Sequence, residues 1–493
     1  MGEQMEETAM NFLSVIQHLL DNIIIINILF SIIVVFFQRK EPKSVWAWLL
    51  ILYSIPILGF IIYLLAGTDI HKRKMFRTKE IEDQISESIR QQEYSIVHRQ
   101  MEKKNPDVSG YTDLIYYNLK CSGAVVSDDN KLDIITDGES KFDALVEDIK
   151  KAKHHIHIQY YIIKEDEVLE RIAEELKKKA EAGIEVRILY DAMGCRTIPK
   201  KYWRALQQAG IQTVTFFPAV MGRFHFRINY RNHRKIVVID DEIAYVGGFN
   251  VAREYLGKDK KFGYWRDTHL RIEGSAVNDL QIRFILDWNY ASRQNLFKNN
   301  RYLQPQQAGR GNCEIQIISS GPDSAMQNIR NNYLRLITKA EKSIYIQTPY
   351  FIPDEAILSA LTVAAYSGIE VNIMIPCKPD HPFVYWATYS YIGDMIQAGA
   401  NCYTYDNGFL HAKGMIIDRK VFCYGTANMD IRSFQLNFEV NATVYGELEA
   451  GTMEDIFKND LRYCTRITRS RYDRRPLKIR IKEQFCRLLS PLL

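Results

Sequence analysis

Two stretches of this sequence carry residues that can do chemistry, at matched spacing. HRKIVVIDDEIAYVGGFN runs from His233 to Asn250, and HAKGMIIDRKVFCYGTAN from His411 to Asn428. In each, a His is followed two residues later by Lys, seven later by Asp and seventeen later by Asn. A glycine stands three residues before each Asn (Gly247, Gly425). Two imidazoles and two ammonium groups suit phosphodiester exchange. One imidazole attacks phosphorus and forms a covalent phosphohistidine. The other protonates the departing alcohol and then takes a proton from the incoming one. Lys235, Lys413, Asn250 and Asn428 are the candidates for holding the non-bridging oxygens as charge builds. The lysines supply the positive charge, so this chemistry calls for neither metal nor cofactor, and the sequence offers no convincing ligand cluster. Each imidazole also needs a partner on its second nitrogen to fix its tautomer. Asp267, in YWRDTHLRI, and Glu439, in NFEVN, occupy comparable places after the two motifs and are the expected orienting carboxylates.

The elements that must position these groups follow from the apolar patterning. The runs Ile236 to Ile239 and Gly414 to Ile417 read as buried strands. Positions i and i+2 share a strand face, so His233 points with Lys235 and His411 with Lys413. Asp240 and Asp418 lie an odd number of residues from their His, on the other face, which makes them supports rather than reactants. The chain also repeats itself: KAKHHIHIQYYIIKEDE (151–167) parallels KAEKSIYIQTPYFIPDE (339–355). Each copy leads into a helical pattern and then GIEVRILYD (183–191) or GIEVNIMIP (368–376). Strand, helix and strand in alternation predict an α/β fold with mainly parallel sheets. Two lobes follow, 110–305 and 306–465, expected to meet under a pseudo-twofold with His233 and His411 at the seam. Each half alone holds one His and one Lys.

A chain of 493 residues predicts two or three domains. Residues 1–69 read as a transmembrane hairpin with helices at about 12–37 and 45–67. Residues 70–109 read as a charged helical connector. The basic clusters favour catalytic lobes on the cytoplasmic side of the cell membrane, in a multi-pass arrangement. The tail 466–493 is basic and ends apolar, suited either to anionic lipid or to closing the second lobe. A net charge of +5 is mild and fits work beside an anionic surface. Eight cysteines without a C-x-x-C pair read as free thiols. His225, in RFHFRINYRNHRK, reads as a phosphate-side or structural residue near the mouth of the site.

The doubled H-x-K-x4-D pattern, each copy with a trailing Asn, resembles the phospholipase D superfamily. Within it the chain is most similar to bacterial cardiolipin synthases. The resemblance covers the membrane hairpin, RNHRK (231–235), YVGGFN (245–250), YWRD (264–267), QTPYFIPDE (347–355), FLHAK (409–413) and NMDIRS (428–433). It implies condensation of two phosphatidylglycerols into cardiolipin and glycerol, with His233, Lys235, Asp240, His411, Lys413 and Asp418 as catalytic motif members. The implied partners are phosphatidylglycerol and anionic membrane lipid. Rival readings are a phospholipase D-type hydrolase or another phosphatidyltransferase, in which water or a different alcohol is the acceptor. A nuclease is disfavoured because no basic stripe interleaves with aromatics. A non-enzymatic scaffold would not need two intact motifs.

Overall fold

The computed structural model describes residues 79–98, 106–218, 230–299, 301–303, 311–324 and 326–490, together with scattered positions of the first 63 residues. The chain divides into two units, one of residues 1–73 with 219–229 and one of 74–218 with 230–493. In the first unit the described part of the expected hairpin is chiefly the helix Pro42–Ser54, which ends just ahead of Ile55-Pro56, where a proline disfavours further helix. Trp46, Leu50 and Tyr53 on this helix are exposed, while Trp48 packs edge-on against Tyr63 at 5.3 Å. Among the described residues no helix is long and apolar enough to cross a membrane. The remainder of the hairpin, and His225, lie outside the described residues.

The described residues of the second unit form twenty strands. The first lobe holds β1 (Val126–Ile135), β2 (His155–Tyr160), β3 (Glu185–Asp191), β4 (Gln212–Phe216), β5 (Arg231–Asn232), β6 (Ile236–Ile239), β7 (Ile243–Gly247), β8 (Trp265–Arg266) and β9 (His269–Glu273). The second holds β10 (Cys313–Ser320), β11 (Ser343–Gln347), β12 (Phe351–Ile352), β13 (Glu370–Pro376), β14 (Asn401–Tyr405) and β15 (Phe409–Leu410). It continues with β16 (Gly414–Ile417), β17 (Val421–Gly425), β18 (Met429–Asp430), β19 (Asn437–Tyr445) and β20 (Cys464–Arg466). The main sheet runs β20-β14-β13-β11-β16-β17-β19-β10-β1-β9-β7-β6-β2-β3-β4. The antiparallel pair β1–β10 joins the halves into one sheet.

The sheet is mixed, not mainly parallel as expected. Among the described residues, parallel pairing of full strands is confined to β2–β3–β4 and β11–β13–β14, the segments separated by crossover helices. The motif strands are entered differently. Each is the first arm of a tight hairpin, β6–β7 or β16–β17, so its neighbours run antiparallel. The hairpin turns place Asp240 and Asp241 at φ 56°, and Asp418 and Arg419 at 53° and 59°. Asp is among the residues that tolerate this left-handed conformation.

Strand alternation sorts the motif residues into three cores. Val237 and Ile239 face an outer core of the first lobe, and Met415 and Ile417 one of the second. Ile236 and Val238 join Leu270, Ile416, Phe422 and Val440 in a third core, to which both lobes contribute. Each such fully buried aliphatic contributes on the order of 1.5–3 kcal/mol. This shared core fixes the lobes against each other and thereby fixes the seam.

Candidate active site

The seam is held by two short parallel contacts, each between the strand that leads into a motif histidine of one lobe and the carboxylate segment of the other. Arg231 and Asn232 of β5 pair with Asn437 and Phe438 of β19. Phe409 and Leu410 of β15 pair with Trp265 and Arg266 of β8. The His233 N–H donates to the Phe438 carbonyl at 2.9 Å, and the His411 N–H to the Arg266 carbonyl at 2.7 Å. The next residue along each ladder is then a histidine opposite a carboxylate. His233 Nδ1 lies 2.9 and 3.0 Å from the Glu439 oxygens, and His411 Nδ1 lies 2.5 Å from Asp267 Oδ2. Each orienting carboxylate therefore comes from the opposite lobe, a crossing that comparable places after the two motifs do not reveal. A carboxylate on Nδ1 holds the proton there and leaves Nε2 for reaction.

Both carboxylates are fully buried, which by itself raises their pKa. The facing groups reverse this: His233 and Lys235 hold Glu439 below the usual range, and Lys413 and His411 do so for Asp267. Burial pushes both imidazoles down to about 4, against the pull of their carboxylates. Their side chains keep 12% and 11% of their surface exposed, enough to meet a substrate. The ammonium groups are buried too, which lowers Lys235 to about 7 and Lys413 to about 8. Lys235 donates to the His233 carbonyl at 2.7 Å, and Lys413 to the His411 carbonyl, with its Nζ 2.8 Å from His411 Nδ1. Influence also passes across the seam. Lys413 acts on His233, and Lys235 on His411.

Asp240 and Asp418 are not brought to the seam. Asp240 is five residues past Lys235, about 17 Å along a strand rising ~3.3 Å per residue. Its oxygens take the N–H groups of Lys153, His154 and His155 at 2.6–2.8 Å. Asp418 takes those of Glu341, Lys342 and Ser343 at 2.7 Å each. Each therefore fastens the turn of a motif hairpin to the first residues of the adjacent strand, β2 or β11. A catalytic role, implied by their place in the motif, has no support in this geometry; the supporting role read from strand parity does. Asn250 donates to the Tyr255 hydroxyl at 2.6 Å and accepts from the Ile162 N–H at 3.1 Å, so both ends of its amide are engaged. Asn428 Oδ1 is buried without a hydrogen-bond partner.

The motif glycines make room for these contacts. A Cβ on Gly248 would fall 1.9 Å from the Asp267 carboxylate, and one on Gly425 2.4 Å from the Val440 carbonyl. Thr426 stands where the first copy has Gly248, and its hydroxyl donates to Glu439 at 2.5 Å. The difference between GG and GTA is thus a difference in how each carboxylate is held. Sequence reasoning did not reach Thr426, nor Tyr161, whose ring packs on His233 at 4.8 Å with Lys235 Nζ 5.5 Å from its centre. The sequence shows the contrast between Arg234 and Ala412 but not what Arg234 does. It pairs with Asp287 at 2.6 Å in the interior and donates to the backbone carbonyls of Glu439 and Ser320, tying the first lobe to the second. Its appearance after His233, where Ala412 follows His411, was the available signal.

Comparison with known proteins agrees with this architecture. Residues 145–265 and 333–461 match the family described as cardiolipin synthase, PLD-like domain, and residues 25–67 match the phospholipase D-nuclease N-terminal family. The chain is 50% identical over 472 residues to a cardiolipin synthase of Oceanobacillus iheyensis, covering 95% of this chain and 98% of that protein. It is 48% identical over 482 residues to the major cardiolipin synthase ClsA of Bacillus subtilis, covering 98% and 100%. In fold, it is similar to the crystal structure of phosphatidylserine synthase from Haemophilus influenzae, with a TM-score of 0.57 at 15% identity, covering 73% of this chain and 95% of that one.

Proposed function

Since the chain belongs to the cardiolipin synthase family of proteins with phospholipase D-like domains, and is a phosphatidyltransferase, we propose that it joins two phosphatidylglycerols into cardiolipin and releases glycerol. The observation that carries this reading is the crossed pair of carboxylate-held imidazoles at one seam. Nε2 of one histidine attacks phosphorus, the bond from phosphorus to the headgroup glycerol oxygen breaks, and the second imidazole gives that oxygen a proton. The second imidazole then takes a proton from the hydroxyl of another phosphatidylglycerol. That oxygen attacks phosphorus, and the phosphorus–nitrogen bond breaks. Lys235 and Lys413 neutralise the non-bridging oxygens, and the unpartnered amide oxygen of Asn428 is an acceptor suited to a headgroup hydroxyl rather than to phosphate. Burial keeps both imidazoles neutral beforehand, which suits the nucleophile. A phosphodiester anion entering the same site favours the protonated form of the other.

The lobes work at a membrane on this reading, carried by an N-terminal hairpin and facing the cytoplasm. The match of residues 25–67 to an N-terminal family and the exposed apolar residues of the helix Pro42–Ser54 support the membrane placement, and the larger basic cluster on the lobe side of the hairpin supports the orientation. The test uses the purified full chain with labelled phosphatidylglycerol in detergent plus chelator. A diphosphatidyl product with free glycerol is expected. Phosphatidic acid alone would make the protein a hydrolase, and cleavage of oligonucleotides with lipid untouched would make it a nuclease.

A further inference from the structure

The helix Leu477–Leu488 closes the second lobe with one face and leaves the opposite face exposed. Polar pairs fasten its inward side. Arg475 donates to the buried Glu483 carboxylate at 2.7 and 2.8 Å. Arg487 donates at 2.6 Å to Asp394 on the helix Pro382–Gln397. Cys486 joins the outer core of this lobe. On a helix turning ~100° per residue, Leu477, Ile481, Phe485 and Leu488 fall within about 80° of one another, on the side away from Glu483 and Cys486. They are 71%, 59%, 56% and 76% exposed. Single apolar side chains at a surface are ordinary, but a continuous stripe of them marks a binding face.

The borders of the stripe indicate what it meets. The exposed charged side chains of this helix, Lys478, Arg480 and Lys482, are all basic. Lys478 and Lys482 line one edge, and Arg480 and Gln484 the other. Lys482 Nζ lies 5.5 Å from the Trp386 ring near the start of the helix Pro382–Gln397, and Phe383, one turn before Trp386, is exposed. Long basic side chains lay their methylenes beside an apolar strip and lift the charge to headgroup level. A helix apolar on one side and basic at its borders suits the interface of an anionic bilayer. Its 12 residues span about 18 Å, short of a hydrocarbon core of ~30 Å, so it lies along a bilayer rather than through it. Printed contacts also lead from this helix to the site. The chain after Asn428 forms β18, which pairs with β12, and the Phe351 N–H of β12 donates to Thr388 at 3.1 Å, on the helix that holds Arg487.

We propose that Leu477, Ile481, Phe485 and Leu488, bordered by Lys478, Arg480 and Lys482, form a docking face for an anionic bilayer and seat the second lobe on the surface in which its substrate lies. This rests on the reading of phosphatidylglycerol as substrate and adds where the lobe meets the lipid. The reacting phosphate must reach the seam while the acyl chains stay in hydrocarbon, because drawing them into water is costly. A lobe that grips the same leaflet keeps the seam beside the headgroups. A second copy of the chain, seated face to face, brings the same basic borders against each other, whereas anionic headgroups neutralise them.

The experiment places the full chain in vesicles of phosphatidylcholine alone, or of phosphatidylcholine and phosphatidylglycerol in equal parts. Both carry a trace of lipid with a photoactivatable diazirine in its acyl chain, and labelled peptides are read by mass spectrometry. Because the label is read on the peptide of residues 477–488, attachment through the N-terminal hairpin does not imitate the result. That peptide should be labelled in the anionic vesicles and much less in the neutral ones. Lys478→Gln and Lys482→Gln should each lower its labelling by roughly fivefold, the scale of one basic residue at an anionic surface. Ile481→Gln combined with Phe485→Gln should abolish the labelling and raise the apparent KM for vesicle phosphatidylglycerol by roughly tenfold. Turnover of a short-chain, monomeric phosphatidylglycerol should be unchanged in that variant. An unlabelled peptide, equal labelling in both vesicles, or a stripe shielded in detergent by self-association overturns the docking face. If the peptide is labelled as expected but neither form of phosphatidylglycerol yields cardiolipin, the membrane contact stands and the substrate reading has failed.

Discussion

The crossing of the carboxylates is tested most directly by Glu439→Gln. Glu439 is fully buried and receives His233 Nδ1 at 2.9 Å, the Thr426 hydroxyl at 2.5 Å and the Asn437 amide at 3.3 Å. Gln keeps the shape and one accepting oxygen but removes the charge. Burial already drives the His233 imidazole down to about 4, and the Glu439 charge is the largest influence opposing it. Without that charge the imidazolium becomes costlier by roughly 1.5–3 kcal/mol, the net value of a hydrogen bond to a charged group. Turnover should fall on the order of 10- to 100-fold, at tenfold per ~1.4 kcal/mol. The assay is the initial rate of cardiolipin formation, paired with site-resolved acylation of histidines by diethyl pyrocarbonate. Because Glu439 belongs to the second lobe and His233 to the first, the variant should change the acylation rate of His233 and leave that of His411 as it was. Asp267→Asn should do the reverse. Undiminished turnover, or an effect on the histidine of the same lobe, would refute the crossed pairing.

Three further outcomes follow from the same geometry. Asp418→Ala removes the acceptor of three backbone N–H groups and should destabilise the fold by about 2–4 kcal/mol in chemical denaturation, while activity per folded molecule persists; loss of activity at full stability would restore a catalytic role. Lys235 and Lys413 titrate near 7 and 8 and are charged only below those values, so kcat/KM should decline as pH rises through that range. Lys235→Arg, which keeps its charge, should move the decline upward in whatever activity remains, and a decline that stays in place would free Lys235 of responsibility for it. Cardiolipin formation should survive exhaustive chelation, since lysines supply the positive charge at phosphorus; rescue of a chelated, inactive enzyme by added metal would contradict this.

The sequence exposed the chemistry more readily than the topology, for a physical reason. His and Lys must stand together at one phosphorus atom, and duplication wrote their spacing, with the Asp and Asn that follow, twice. Strand parity sufficed to turn Asp240 and Asp418 away from the centre, because a period of two is a property of any strand. Sheet direction was misjudged because β2–β3 and β11–β13 have crossover helices visible in the sequence, whereas β6–β7 and β16–β17 turn within three residues at aspartates in left-handed conformation. Those turns contain no glycine at their positive-φ positions, so the usual hairpin signal was missing. The crossing was illegible for another reason: nothing local in NFEVN or YWRD says which lobe's histidine each will face.

That crossing explains why two half-sites suffice where neither lobe has a complete one. Each lobe supplies a histidine that cannot keep its tautomer and a carboxylate that has no histidine of its own. Docking satisfies both at once, through two parallel contacts that bring the four groups into register. The buried carboxylates would be costly if left unpaired, so the same interactions that orient the imidazoles also favour the closed seam. Orientation of the catalytic groups and association of the lobes are therefore one physical event. Divergence is then free to proceed beside the paired centre, where Thr426 holds one carboxylate and Gly248 makes room for the other.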